Sequence, residues 1–184
     1  PNFVQPLPFD GQAFDCLDQE ILAVFEMSEL IVPDRVRGDY QTLETAIAAD
    51  QWPTLKESRG KVFFALDAGQ NKIDIYKEGH PSLQGRILFV NAKEGQPEAA
   101  FRVINDPVKN QQYIQDLIRK GYLVRTRADA ETKEARTGDT TRLEAALASG
   151  AHFISTDYYL PENKFGTNYR VQLPTQTSVR FNPN

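Results

Sequence analysis

The sequence predicts an α/β fold in which parallel strands alternate with helices, and three observations carry that prediction. Short runs of aliphatic, β-branched and aromatic residues recur at 61–67, 86–91, 100–105, 122–127 and 152–156, the length and composition of buried strands. Between them lie segments with apolar residues at three- and four-residue spacing behind Asp or Thr caps, the signature of amphipathic helices. Polar residues also stand at the C-terminal ends of the apolar runs: Asp67, Asn91, Asn105, Arg127 with Asp129, and Asp157.

Each element follows from local chemistry. Residues 1–9 are an irregular, proline-punctuated lead-in. Asp10 caps a helix whose apolar positions are Phe14, Leu17, Ile21, Leu22 and Phe25; Asp15, Asp18 and Glu20 lie where the helix dipole favours acids. Cys16 reads as core packing. Pro33 closes this segment, and 34–40 read as a charged loop around Gly38. Thr42 starts a helix through Ala49. Thr54-Leu55-Lys56-Glu57 is a capping box for one more turn, ended by Gly60. The strand at 61–67 precedes a loop at 68–85. Strands at 86–91 and 100–105 follow. Asp106-Pro107 opens a helix as an acid cap with Pro at the first helical position, and Ile114, Leu117 and Ile118 give it an apolar face until Gly121. The strand at 122–127 leads to a polar loop at 128–139. Thr141-Arg142-Leu143-Glu144 is a further capping box, for a helix ended by Gly150. The last strand is 152–156. Residues 158–184, rich in Pro, Asn and Thr, show no period and read as a strapping tail to a single domain, 1–184.

The bulk numbers narrow the function classes. A chain of 184 residues can bury a real core. A net charge of −4 argues against a nucleic-acid partner, because phosphate backbones select basic faces. No apolar run approaches the ~20 residues of a transmembrane helix. One cysteine excludes an intrachain disulfide. The start at Pro1, with no Met and no basic leader, reads as a processed or truncated product. No glycine-rich phosphate turn of the doubly wound or P-loop kind occurs, which favours a barrel with its polar strand tips gathered at one mouth. A complete barrel needs eight strands and ~250 residues. Five strands therefore predict the C-terminal portion of a TIM-type (β/α) barrel. Open strand edges would then require the N-terminal half of the same polypeptide, or self-association, for stability.

Residues 60–67, 121–130 and 145–158 carry a resemblance, together with the closing Phe165-Gly166-Thr167-Asn168-Tyr169-Arg170-Val171. The Arg-x-Arg-x-Asp strand at 125–129 followed by Ser155-Thr156-Asp157-Tyr158 is the most specific part. These segments resemble the bacterial calcium-dependent phosphoinositide phospholipase C family, within the superfamily that includes glycerophosphodiester phosphodiesterases. The resemblance implies a TIM-type barrel, Ca2+ as cofactor, and hydrolysis of a phosphodiester in a phospholipid or glycerophosphodiester. It also suggests an exported protein. In such families the catalytic histidines and most metal-binding carboxylates lie on early strands. The only histidines here are His80 and His152, and neither matches those motifs, so the acid/base histidines are expected in the N-terminal half and this fragment alone is expected to be inactive.

Phosphodiester cleavage needs cations aimed at the equatorial oxygens, plus an acid and a base. Arg125 and Arg127, two apart on one strand, point to the same side and are the candidate phosphate ligands. A structural ion pair is the competing role, weighted equally for Arg127 and preferred for Arg125, with Asp157 as an example partner. Asp67 is the candidate metal ligand, or else a cap for the following Ala68-Gly69 turn. Asn91, Asn105, Asp129 and Asp157 complete the rim candidates. Turn formation is the favoured role for each asparagine, and closing the barrel through an arginine or a backbone N–H is the favoured one for Asp157. His80 reads as a surface loop residue and Trp52 as a loop anchor. No zinc-ligand spacing, nucleophile elbow or catalytic cysteine setting appears. The reading is thus part of a calcium-dependent phosphoric diester hydrolase. The alternatives are a non-catalytic module for a phosphorylated or sugar ligand and a glycerophosphodiester phosphodiesterase.

Overall fold

A computed structural model describes residues 3–4, 6–173, 177 and 179–181 of the chain. The chain divides into two compact units, Pro1–Ala100 and Phe101–Asn184. All strand pairs in both are parallel, and helices separate the paired strands. This is the α/β class the sequence predicts, consistent with part of a TIM-type barrel.

In the first unit, α1 (Gly11–Val24) starts at the predicted cap, where Asp10 accepts from the Ala13 N–H at 2.9 Å. It buries Phe14 and Asp18. Cys16 is exposed, not core: two residues beyond Phe14, at 3.6 residues per turn, it projects from the opposite side of the helix. β1 (Leu30–Ile31) pairs with β2 (Val62–Phe63). Between them lie α2 (Pro33–Arg37), α3 (Leu43–Ala48) and α4 (Leu55–Ser58). The Thr42 and Thr54 caps form as predicted, each accepting from the backbone N–H three residues on. β3 (Ala65–Leu66) pairs with β4 (Phe89–Val90), with α5 (Gln70–Lys77) intervening. Trp52 packs 5.4 Å from Phe89, whose ring stacks on Phe63 at 4.5 Å.

Four expectations change here. The single strand at 61–67 is two, broken at Phe64, because its halves pair with different partners, β1 and β4. β1 was not foreseen at all. The strand at 86–91 narrows to β4 because Arg86 is drawn into a buried polar cluster. α2 and α5 occupy segments read as loops. Pro33 opens a helix instead of closing one, and α5 is mostly polar, burying only Ile73 and Tyr76.

That cluster ties α1, α5 and the approach to β4 together. The Tyr76 hydroxyl donates to Asp18 Oδ1 at 2.8 Å and accepts from the Leu88 N–H at 2.8 Å. Arg86 donates to Asp15 Oδ1 at 2.6 Å, to Asp18 Oδ2 at 3.2 Å and to the Tyr76 carbonyl at 2.7 Å. Its guanidinium lies 4.5 Å from the Tyr76 ring centroid. Burial pushes the Asp18 carboxyl up, against the opposing pull of Tyr76 and Arg86, and burial likewise pushes the Tyr76 phenol up. Removing charges from water is costly unless they are paired and hydrogen-bonded, which explains why every member of this cluster has partners.

The second unit is a three-stranded sheet in the order β5-β6-β7: β5 (Phe101–Val103), β6 (Leu123–Arg127) and β7 (Phe153–Ser155). α6 (Pro107–Arg119) joins the first two, with Asp106 accepting from the Lys109 N–H at 3.3 Å and Pro107 in its first turn. α7 (Lys133–Thr137) and α8 (Thr141–Ala148) join the last two. α7 falls in the predicted polar loop at 128–139; it is one short turn whose Glu134 and Ala135 are buried, so its apolar signal is a single alanine. The α8 cap shifts by one residue, to Thr140. Asp139 Oδ1 instead accepts from the Thr141 N–H and hydroxyl at 2.9 and 2.7 Å.

The tail crosses this unit without regular structure as far as it is described. Tyr169 is 2% exposed and donates to the Ala128 carbonyl at 2.9 Å. The Val171 N–H donates to the Tyr158 carbonyl at 2.8 Å. The rest of the predicted strap, 174–176, 178 and 182–184, lies outside the described residues.

Candidate functional site

The C-terminal ends of β6 and β7 carry a polar pocket of about 70 Å3 lined by Arg125, Arg127, Asp129, Glu131, Ser155, Thr156 and Asp157. That room is enough for several waters or the oxygens of a small anion. Strand alternation creates the lining. Val124 and Thr126 turn into the core, fully buried, so Leu123, Arg125 and Arg127 share the other face. The parallel register sets Arg127 beside Ser155.

The two arginines differ in their surroundings. Arg125 is half-buried and donates through Nη1 to Asn105 Oδ1 at 3.0 Å. Arg127 is exposed at the mouth. Asp129, only 5% exposed, has a carboxylate that accepts from Thr156 Oγ1 at 2.5 Å and from the Asp157 N–H at 3.2 Å. Thr156 Oγ1 in turn accepts from the Tyr158 N–H at 2.9 Å. Asp129 therefore holds the turn that follows β7, and its carboxylate shapes the pocket wall. Glu131, at φ 57°, is one of the few non-glycine residues with a left-handed backbone; its carbonyl accepts from the Tyr158 hydroxyl at 3.3 Å.

Behind the pocket lies a buried ion pair. Glu134, 4% exposed, accepts from Arg142 Nε at 2.9 Å and from the Ala130 N–H at 2.9 Å. Burial alone would raise its carboxyl, but the Ala130 N–H, its own backbone and Arg142 outweigh that and hold it low. Arg142 Nη1 also reaches the Asn105 carbonyl at 3.0 Å and stands 3.8 Å from Asp106.

Four predicted residues, Arg125, Arg127, Asp129 and Asp157, line this one pocket, and Asn105 touches it through Arg125. Asp67 and Asn91 belong to the first unit, Asp67 exposed just after β3 and Asn91 half-buried just after β4. Glu131, Ser155 and Thr156 were not singled out as site residues, although the last two had a signal in their place at a strand's C-terminal end. Glu134 and Arg142 had none beyond being charged. Neither histidine lines the pocket. His152 lies at the opposite end of β7, where its Nδ1 accepts from the Val124 N–H at 3.2 Å. His80 is half-buried in a turn, within 2.7 Å of the Gln84 carbonyl.

Taken together, the parallel strand pairs and the helices between them define a protein of the α/β class, with arginines and carboxylates at the strand tips of its second unit. The family comparison is more particular: residues 1–183 match the family model described as phosphoinositide phospholipase C, Ca2+-dependent. The chain belongs to the Ca2+-dependent phosphoinositide phospholipase C family. Searches of curated proteins and of solved structures returned no match.

The described residues do not fit a calcium ion. Ca2+ takes six to eight oxygens, and among these residues no group of three or more His, Cys, Asp or Glu side chains could hold a metal. In the pocket, both oxygens of Asp129 already accept hydrogen bonds, and the guanidiniums of Arg125 and Arg127 share the space with Glu131 and Asp157.

Proposed function

We propose that this chain forms the phosphate-binding part of a calcium-dependent phosphoric diester hydrolase acting on a phosphoinositide or a related glycerophosphodiester. The observation that carries the reading is the pair of guanidiniums, Arg125 and Arg127, on one face of β6 above a common pocket, in a chain of this family. A guanidinium presents a planar fork of donors to two phosphate oxygens. Charge grows on those oxygens as the diester is cleaved, so fixed cations stabilise the transition state more than the ground state. Asp157 and Glu131 leave oxygens at the same rim to accept from substrate hydroxyls. Tyr159 and Leu160, 64% and 58% exposed, follow two and three residues beyond Asp157, and exposed apolar side chains so near the pocket in sequence suit a lipid-borne substrate.

In this reading the acid/base histidines and the calcium ligands, for which Asp67 is this chain's one candidate, come chiefly from residues outside 1–184. They are supplied by the N-terminal half of the same polypeptide, and the complete enzyme is exported. A second reading, a non-catalytic module for a phosphorylated ligand, draws support from the pocket lining, which contains no histidine.

The test is a titration of the chain with myo-inositol 1-phosphate and with myo-inositol, followed by assay of the complete protein on phosphatidylinositol vesicles with calcium and with chelator. Binding of the phosphate but not the free inositol, lost in Arg127→Ala, is expected. Chelator-sensitive release of diacylglycerol separates the enzyme from the binding module. Equal binding of the two ligands would refute both readings.

A further inference from the structure

We infer that Arg142 is a positioning residue for the pocket: paired with buried Glu134, it fastens both pocket walls and holds the Arg125 guanidinium at the mouth. This rests on the reading of Arg125 as a phosphate contact. Four contacts make the chain of connection. On one side, Glu134 accepts from the N–H of Ala130 at 2.9 Å. Ala130 lies between Asp129 and Glu131, two lining residues. On the other, Arg142 donates from Nε to Glu134 at 2.9 Å and from Nη1 to the Asn105 carbonyl at 3.0 Å. Asn105 then presents Oδ1 to Arg125 Nη1 at 3.0 Å. Neither Arg142 nor Glu134 lines the pocket, so their effect is indirect.

The physical reason for such a hub lies in arginine's entropy. A long side chain at a pocket mouth has many rotamers, and a ligand that must freeze it binds more weakly. Asn105 is itself in a loop, and a loop amide orients a guanidinium only if its own backbone is held. The planar fork of Arg142 does this while satisfying Glu134, and a lysine ammonium cannot reproduce that two-sided geometry.

The experiment follows the Arg125 and Arg127 side-chain 15Nε–Hε signals by NMR in the full chain, free and titrated with inorganic phosphate. Arg142→Lys keeps the charge opposite Glu134 but removes the fork. Asn105→Ala leaves the Arg142–Glu134 pair intact and cuts only the last link. In both variants the heteronuclear NOE of Arg125 is expected to fall below its value in the unaltered chain. Arg127 should be unchanged, and phosphate affinity should drop roughly three- to tenfold. A structural role for Arg142 alone would lower stability without this selective loosening of Arg125. If Arg142→Lys does not fold, Glu134→Gln takes its place and should loosen Arg125 in the same direction. An Arg125 that stays as ordered as in the unaltered chain, in every folded variant, overturns the inference. If the unaltered chain binds no phosphate, the reading of Arg125 as an anion contact fails, while its order in the free variants still decides the positioning role.

Discussion

Replacing Asp129 separates its part in holding the post-β7 turn from the charge it brings to the pocket. The carboxylate accepts two hydrogen bonds, from the Thr156 hydroxyl and the Asp157 N–H. Hydrogen bonds to a charged group contribute about 1.5–3 kcal/mol each. Asp157 is exposed and Thr156 half-buried, so water recovers part of the loss once the carboxylate is gone. Asp129→Ala should therefore cost about 2–4 kcal/mol, a large share of a typical net stability of about 5–15 kcal/mol. Asp129→Asn is different. Its amide oxygen can still accept from Asp157, and its NH2 can donate to Thr156 Oγ1, since a hydroxyl has lone pairs to spare. It should cost about 1 kcal/mol or less. The same change removes a negative charge beside two guanidiniums, so phosphate should bind the Asn variant more tightly than the unaltered chain. Urea unfolding reports the first effect as a shift in midpoint at constant slope, and phosphate titration reports the second. An Asn variant as unstable as the Ala variant, or one that binds phosphate more weakly, would show that this account of the turn is wrong.

Three further outcomes are expected. Tyr76→Phe removes a hydroxyl that serves both Asp18 and the Leu88 N–H at a fully buried site; it should cost about 2–4 kcal/mol by urea unfolding, and a loss below 1 kcal/mol would mean the cluster repacks. Glu134 has its carboxyl held below the ordinary value of 4.5, so its contribution is present above that pH and is lost as pH falls through the lowered folded value. Between pH 7 and pH 3 the unaltered chain should accordingly lose more stability than Glu134→Gln, and parallel losses would contradict the assignment. Cys16 is exposed and should react with a thiol reagent in the native protein as readily as in urea; protection until unfolding would return it to the core.

Local chemistry was legible in the sequence wherever a residue's partner lies within one turn. The Asp10, Thr42, Thr54 and Asp106 caps are of this kind, as is the 122–127 strand with its two arginines on one face. A cap needs only its own next three N–H groups, and strand alternation needs only backbone geometry, so neither waits on the rest of the chain. The tips of β6 and β7 could be read as a polar mouth for the same reason.

Tertiary structure decided everything that depends on a distant partner. The apolar run at 61–67 could not reveal that its halves pair with different strands. Asp18 looked like a dipole-favoured surface acid until Arg86 and Tyr76, 68 and 58 residues away, buried it. Glu134 and Arg142 fall, in the sequence, in a polar stretch read as a loop and in a capping-box pattern, and neither says anything of Asn105, 37 residues from Arg142. Short-range patterns determine which elements form and which way their side chains point, because those energies are local. Which polar groups meet in the interior depends on packing, because only there does the cost of an unpaired charge become large enough to choose its partner.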